Sequence, residues 1–101
     1  MITETVYRNR DNINSLELRA NGEAQDISGT SRMILTIGDE AIDSNLTADV
    51  FDWATNGVGG QVDLTLGHQG LEKGTYTATL IVFDLTYPNG LCWGDFIIKV
   101  R

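Results

Sequence analysis

Residues 75–84 read Thr-Tyr-Thr-Ala-Thr-Leu-Ile-Val-Phe-Asp, and residues 91–100 read Leu-Cys-Trp-Gly-Asp-Phe-Ile-Ile-Lys-Val. Between them stands Tyr87-Pro88-Asn89-Gly90, where proline fixes one backbone angle and Asn-Gly supplies residues that tolerate positive φ, so the two runs can close into a hairpin. The first run alternates. Tyr76, Ala78, Leu80 and Val82 fall on one face, while Thr75, Thr77 and Thr79 begin the other. Period two over this length, in β-branched and aromatic residues, predicts the longest strand pair of the chain and an all-β fold.

The same period recurs upstream in shorter pieces. Residues 61–66 place Val62, Leu64 and Leu66 on one side, residues 49–54 carry Val50, Phe51 and Trp53, and residues 33–37 align Met33, Leu35 and Ile37. Gly38-Asp39 predicts a type II′ turn into residues 40–43, because glycine supplies positive φ at the first central position. A strand over 15–20, with Leu16 and Leu18 in phase, ends at Asn21-Gly22, a strong short turn signal. Residues 56–60 and 67–74 read as loops, and residues 1–14 as an N-terminal arm with one short strand ahead of a single domain over 15–101. The chain holds 26 Thr, Ile and Val residues, and no stretch keeps helical spacing for three turns, so the expectation is a sandwich of antiparallel strands.

The chain has 101 residues and a formal charge of −7, with 14 acidic against 7 basic side chains. That balance opposes binding to phosphate backbones and to anionic membrane surfaces, leaving no expectation of nucleic acid or membrane as a partner. Its apolar runs are too short to span a bilayer, and Met1-Ile2-Thr3-Glu4 lacks the basic start of a signal peptide, so synthesis in a cytoplasm is expected. The lone Cys92 has no internal disulfide partner.

Reactive groups are sparse. His68 is the only histidine and reads as an exposed loop residue, and Cys92, beside Trp93 in a strand, reads as a small buried thiol. No zinc-type spacing occurs. Asp39, Glu40 and Asp43, and separately Asp49 and Asp52, lack the order of a calcium loop, and Gly57-Val58-Gly59-Gly60 lacks the lysine of a phosphate-binding loop. No catalytic, metal or cofactor-binding residue is therefore assigned, and the expectation is a protein that is not an enzyme.

One surface feature points to contact with other proteins. Beyond Thr79 the outward face of the long strand turns apolar at Ile81 and Phe83; with Ile34, and with Ile97 from the last strand, these predict a patch on one sheet, with Tyr87 and Trp93 as aromatic anchors near the final hairpin. The competing arrangements fold the N-terminal arm over that patch through Val6 and Tyr7, or shift the phase of the strands by bulges. A different class of function, carbohydrate binding, would need Trp53, Tyr87 and Trp93 exposed for stacking on sugar rings; core packing is the favoured reading of the tryptophans.

The order Leu16-Glu17-Leu18-Arg19, Asn21-Gly22, Gln25-Asp26-Ile27-Ser28-Gly29, residues 33–37, Gly60-Gln61-Val62-Asp63-Leu64 and Lys73-Gly74-Thr75-Tyr76-Thr77-Ala78-Thr79-Leu80 resembles the immunoglobulin-like domain at the N-terminus of baseplate upper proteins and related small virion proteins of tailed bacteriophages. The likeness spans about residues 15–100. It implies an immunoglobulin-like β-sandwich of about seven to eight antiparallel strands, in which the hydroxyl of Tyr76 meets a loop carbonyl as in a tyrosine corner and Ile27 anchors its turn on the core. It also implies a structural protein of the virion, in the tail, baseplate or fibre-attachment region, contacting other virion proteins in several symmetric copies; a capsid decoration protein is the nearest alternative. Unlike those larger proteins, a chain ending at Arg101 is expected to carry no receptor-binding or oligomerising extension after the sandwich.

Overall fold

The computed structural model describes residues 2–101 and is all-β. Its strands are β1 (Thr3–Val6), β2 (Asn14–Glu17), β3 (Arg19–Ala20), β4 (Glu23–Ala24), β5 (Arg32–Ile37), β6 (Glu40–Asp43), β7 (Phe51–Asp52), β8 (Gln61–Leu64), β9 (Gly74–Phe83) and β10 (Leu91–Val100). Met1, the first residue of the expected arm, lies outside the described residues. Five strands make one mixed sheet in the order β1-β10-β9-β5-β6, three make a second in the order β2-β8-β7, and β3 with β4 forms a small hairpin. The two larger sheets share one core in a sandwich-like arrangement. Met33, Leu35, Ile37, Leu80 and Ile98 from the large sheet meet Leu16, Val62 and Leu64 from the other, all buried.

Turn chemistry works as the sequence predicts. Asn21 and Gly22 both take positive φ, at 55° and 80°, between β3 and β4, and Gly38 takes φ 56° between β5 and β6. The β9–β10 hairpin forms, and Tyr76 donates to a backbone carbonyl near the start of β9.

Four details depart from expectation. The sheet is mixed, because β1 runs parallel to β10 with Val6 opposite Val100, which puts the N-terminal and C-terminal strands side by side in one direction. The predicted 15–20 strand divides at Leu18, whose N–H donates to Gly60 and whose carbonyl accepts from Gln25, so the chain changes partners there from β8 to β4. The 49–54 strand shrinks to Phe51–Asp52: a 3-10 turn occupies Ala48–Val50, and the Asp52 carboxylate takes the Thr55 N–H and hydroxyl to turn the chain again. The count therefore rises from about seven or eight strands to ten, several of only two residues.

The N-terminal segment is tied down at both ends of its turn. Arg101 N–H donates to Val6 at 2.9 Å, Arg8 N–H to Arg101 at 2.9 Å, and Asn9 N–H to Gly67 at 2.8 Å. Val6 faces the core and Tyr7 remains 45% exposed, so this segment lies along the edge of β10 and does not fold over the outer face.

Candidate functional site

Strand register builds the outer face of the large sheet row by row. Ile34 on β5 stands opposite Ile81 on β9, which stands opposite Cys92 on β10; one row further, Arg32 stands opposite Phe83. Ile34, Ile81 and Phe83, read from the sequence as a patch, are thus adjacent, each half-buried. Ile97 is not part of it. Between Ile97 and the Ile34–Ile81 row runs a polar row of Thr36, Thr79 and Asp95, in which the Thr79 hydroxyl donates to Asp95 at 2.6 Å.

Arg32 and the hairpin connection decide how much of the patch meets water. The Arg32 guanidinium lies 5.1 Å from the centre of the Phe83 ring and forks onto the Asp43 carboxylate, with Nε 2.9 Å from Oδ1 and the second bond from Nη2 to Oδ2. This pairing, with the Asn45 N–H, holds the Asp43 carboxyl below the usual carboxylate value. Residues 84–90 fold back on the same face: a Cβ added to Gly90 would sit 2.7 Å from Ile81 Cγ2 and 2.8 Å from Phe83 Cε2. Leu85 on that connection is 97% exposed. An apolar rib flanked by a cation–ring–carboxylate unit and tipped by a bare leucine can seat another protein.

Tyr87 and Trp93 lie elsewhere. They line a cavity of about 310 Å³ at one end of the sandwich, together with Ile27, Leu91, Asp26 and Asp84. Asp26 Oδ1 accepts from the Ser28 hydroxyl at 2.6 Å and the Ser28 N–H at 2.9 Å, and this holds its carboxyl below the usual value. Asp84 Oδ1 accepts from the Tyr87 N–H at 2.7 Å and so fixes the turn that presents the tyrosine ring, which is 48% exposed. The Trp93 ring packs against the core, and its indole N–H is buried with no acceptor among the described residues.

The position of Cys92 corrects the sequence reading. A β-bulge between Cys92 and Asp95, with Gly94 at φ 98°, inserts an extra residue and reverses the alternation upstream of it. Phe96, Ile98 and Val100 face the core, and Cys92 is turned outward opposite Ile81, so the thiol expected to be buried is exposed. Trp53 donates its indole N–H to the Thr30 carbonyl at 3.1 Å and, partly buried, packs against the core. His68 lies in an exposed loop, Nε2 2.7 Å from Asp11 Oδ1. Of the acidic residues weighed for calcium, Asp43 is engaged by Arg32 and Asp52 by Thr55, and among the described residues no three of His, Cys, Asp and Glu come together.

Sequence reasoning missed Arg32 and Asp84, and weighed Asp43 only for calcium. Arg32 stands two residues before Ile34 and so shares its outward phase, and the spacing Asp84-x-x-Tyr87 is that of an aspartate closing its own turn; both signals were present in the chain. No known family model matches this chain, and no curated protein matches it significantly.

Proposed function

We propose that this protein is a non-enzymatic structural component of a tailed-bacteriophage particle, in the tail, baseplate or fibre-attachment region, acting through protein–protein contacts in several symmetric copies. The observation that carries the contact reading is the outer face of the large sheet, where Ile34 and Ile81 lie in one row beside the Arg32–Phe83 pair and Leu85 projects from the adjoining connection. The assignment to a virion is supported by the sequence resemblance over residues 15–100. The immunoglobulin-like reading is supported by the strand order, in which β10-β9-β5-β6 would be strands G-F-C-C′ and β2-β8-β7 strands B-E-D, and by the Tyr76 hydroxyl on a loop carbonyl, where a tyrosine corner would be.

The test is incorporation. Quantitative mass spectrometry of purified particles made from the genome that encodes the chain is expected to find it at on the order of tens of copies, whereas a shell decoration protein would reach on the order of hundreds. An Ile81→Lys variant that folds is expected to be lost from the particle. Particles that never contain the wild-type chain would overturn the proposal.

A further inference from the structure

The cavity lined by Tyr87 and Trp93 has a lining suited to a cationic group. It combines two aromatic rings, the aliphatic side chains of Ala20, Ile27, Val82 and Leu91, and two carboxylates brought from separate turns, and no lysine, arginine or histidine among the described residues lines it. Both carboxylates accept their turn-forming hydrogen bonds on Oδ1, and Oδ2 of Asp26 and Oδ2 of Asp84 have no hydrogen-bond partner among the described residues. The arginines closest in sequence are engaged elsewhere: Arg19 Nε pairs with Glu17 at 2.6 Å and its Nη1 donates to Gly22 at 2.7 Å, and Arg32 is held between Phe83 and Asp43. The chain's net charge is −7, and Arg32, which borders an adjoining cavity with Asp84, is already paired with Asp43.

The molecule satisfies the same combination once with its own residues. In the adjacent row of the sheet, the Arg32 guanidinium sits over the Phe83 ring and forks onto the Asp43 carboxylate. A guanidinium is the group that uses ring faces and carboxylates together, since it is planar, weakly hydrated and presents paired donors; an ammonium ion lacks the fork.

We propose that the cavity receives an arginine side chain presented by the partner protein, the guanidinium meeting Asp26 and Asp84 while Tyr87 and Trp93 flank it. This rests on the protein-contact reading and adds the chemistry of one anchoring residue to it. Charge complementarity selects this occupant over a sugar, whose hydroxyls can donate to the carboxylates but bring no charge to balance them.

The experiment is an NMR titration of the full chain with Nα-acetyl-arginine methylamide, followed through the Trp93 indole N–H and the backbone amides of Ser28 and Tyr87. Saturable shifts confined to these signals are expected. The citrulline analogue, equal in shape but neutral, should bind at least about fivefold more weakly, as should the arginine probe to an Asp84→Asn variant. Asparagine retains the oxygen that accepts from Tyr87, and an unchanged remainder of the spectrum reports that the variant is folded. Tyr87→Ala, at a half-exposed position, gives a second variant with the same expected direction. Equal binding of the arginine and citrulline probes, no shift with either, or shifts with methyl β-glucoside in their place would overturn the proposal. Ile81→Lys lies on the outer face, so loss of arginine binding and loss of particle incorporation are separate results.

Discussion

The hydroxyl of Tyr76 donates to the backbone carbonyl of Glu72 at 2.9 Å, four residues before it, and so fastens the 67–74 loop to the start of β9. The same ring lies against Gly38, where an added Cβ would come within 3.2 Å of Cδ1. One side chain therefore holds the β5–β6 turn and the loop that precedes the longest strand. Replacing the phenol with phenyl removes only the hydrogen bond. Tyr76→Phe is expected to cost about 0.5–1.5 kcal/mol, read from the urea midpoint at unchanged slope. An unaltered midpoint would make the bond incidental to the fold.

Gly67 sets how closely the N-terminal turn can approach. An added Cβ would lie 2.1 Å from the Arg10 carbonyl oxygen and 2.8 Å from that of Tyr7, both backbone atoms that cannot swing away. Gly67→Ala should therefore release the turn at residues 7–10 and raise amide exchange in β1, at a stability cost of about 2 kcal/mol or more. Gly59 has open space around its Cβ direction, and Gly59→Ala is the matched control, expected to change stability by less than about 1 kcal/mol. Equal exchange in the two variants would contradict the steric account.

Acid should weaken the fold through three carboxylates. Asp43 is held below the usual value by the Arg32 fork and then the Asn45 N–H, Asp26 by the Ser28 hydroxyl and then its N–H, and Asp52 by the Thr55 N–H and then its hydroxyl. Each folded-state value lies below the unfolded one, so the native state favours the ionised form. The contribution is complete above the ordinary carboxylate value of 3.8 and is lost as pH falls below it through the lowered values. Urea midpoints measured from neutral pH downward should fall in that acid window, and the Asp43→Asn variant should show a shallower fall there than the wild type. Identical acid profiles would remove Asp43 from the explanation.

Cys92 should react in the folded protein. Its exposure on the outer face predicts complete labelling by a thiol reagent without denaturant, at a rate that does not follow unfolding. Protection until the unfolding transition would mean that the bulge is misplaced and the original alternation holds.

Leu85 and Leu46, exposed at 97% and 86%, give up almost no buried surface when changed to serine. Each variant should stay within about 0.5 kcal/mol of the wild type. Leu35 is fully buried, and Leu35→Ala is expected to cost about 2–5 kcal/mol.

Local chemistry determined a good deal of this protein from the chain alone. Period-two alternation over 75–84 put Ala78, Leu80 and Val82 in the core; the pairs Asn21-Gly22 and Gly38-Asp39 marked their turns, because backbone angles with positive φ depend on the residue that adopts them. Adjacency of Ile34 to Ile81 was also legible, since both lie in the outward phase of neighbouring strands. Tertiary structure decided what depends on distant partners. The parallel placement of β1 beside β10, the division of one strand at Leu18 between Gly60 and Gln25, and the Thr36–Thr79–Asp95 row that separates Ile97 from the patch all follow from which strands meet and in what register. The bulge after Cys92 is the plainest case: one extra residue reverses the facing of everything upstream, and a run of side chains alone does not state where a partner strand skips a residue.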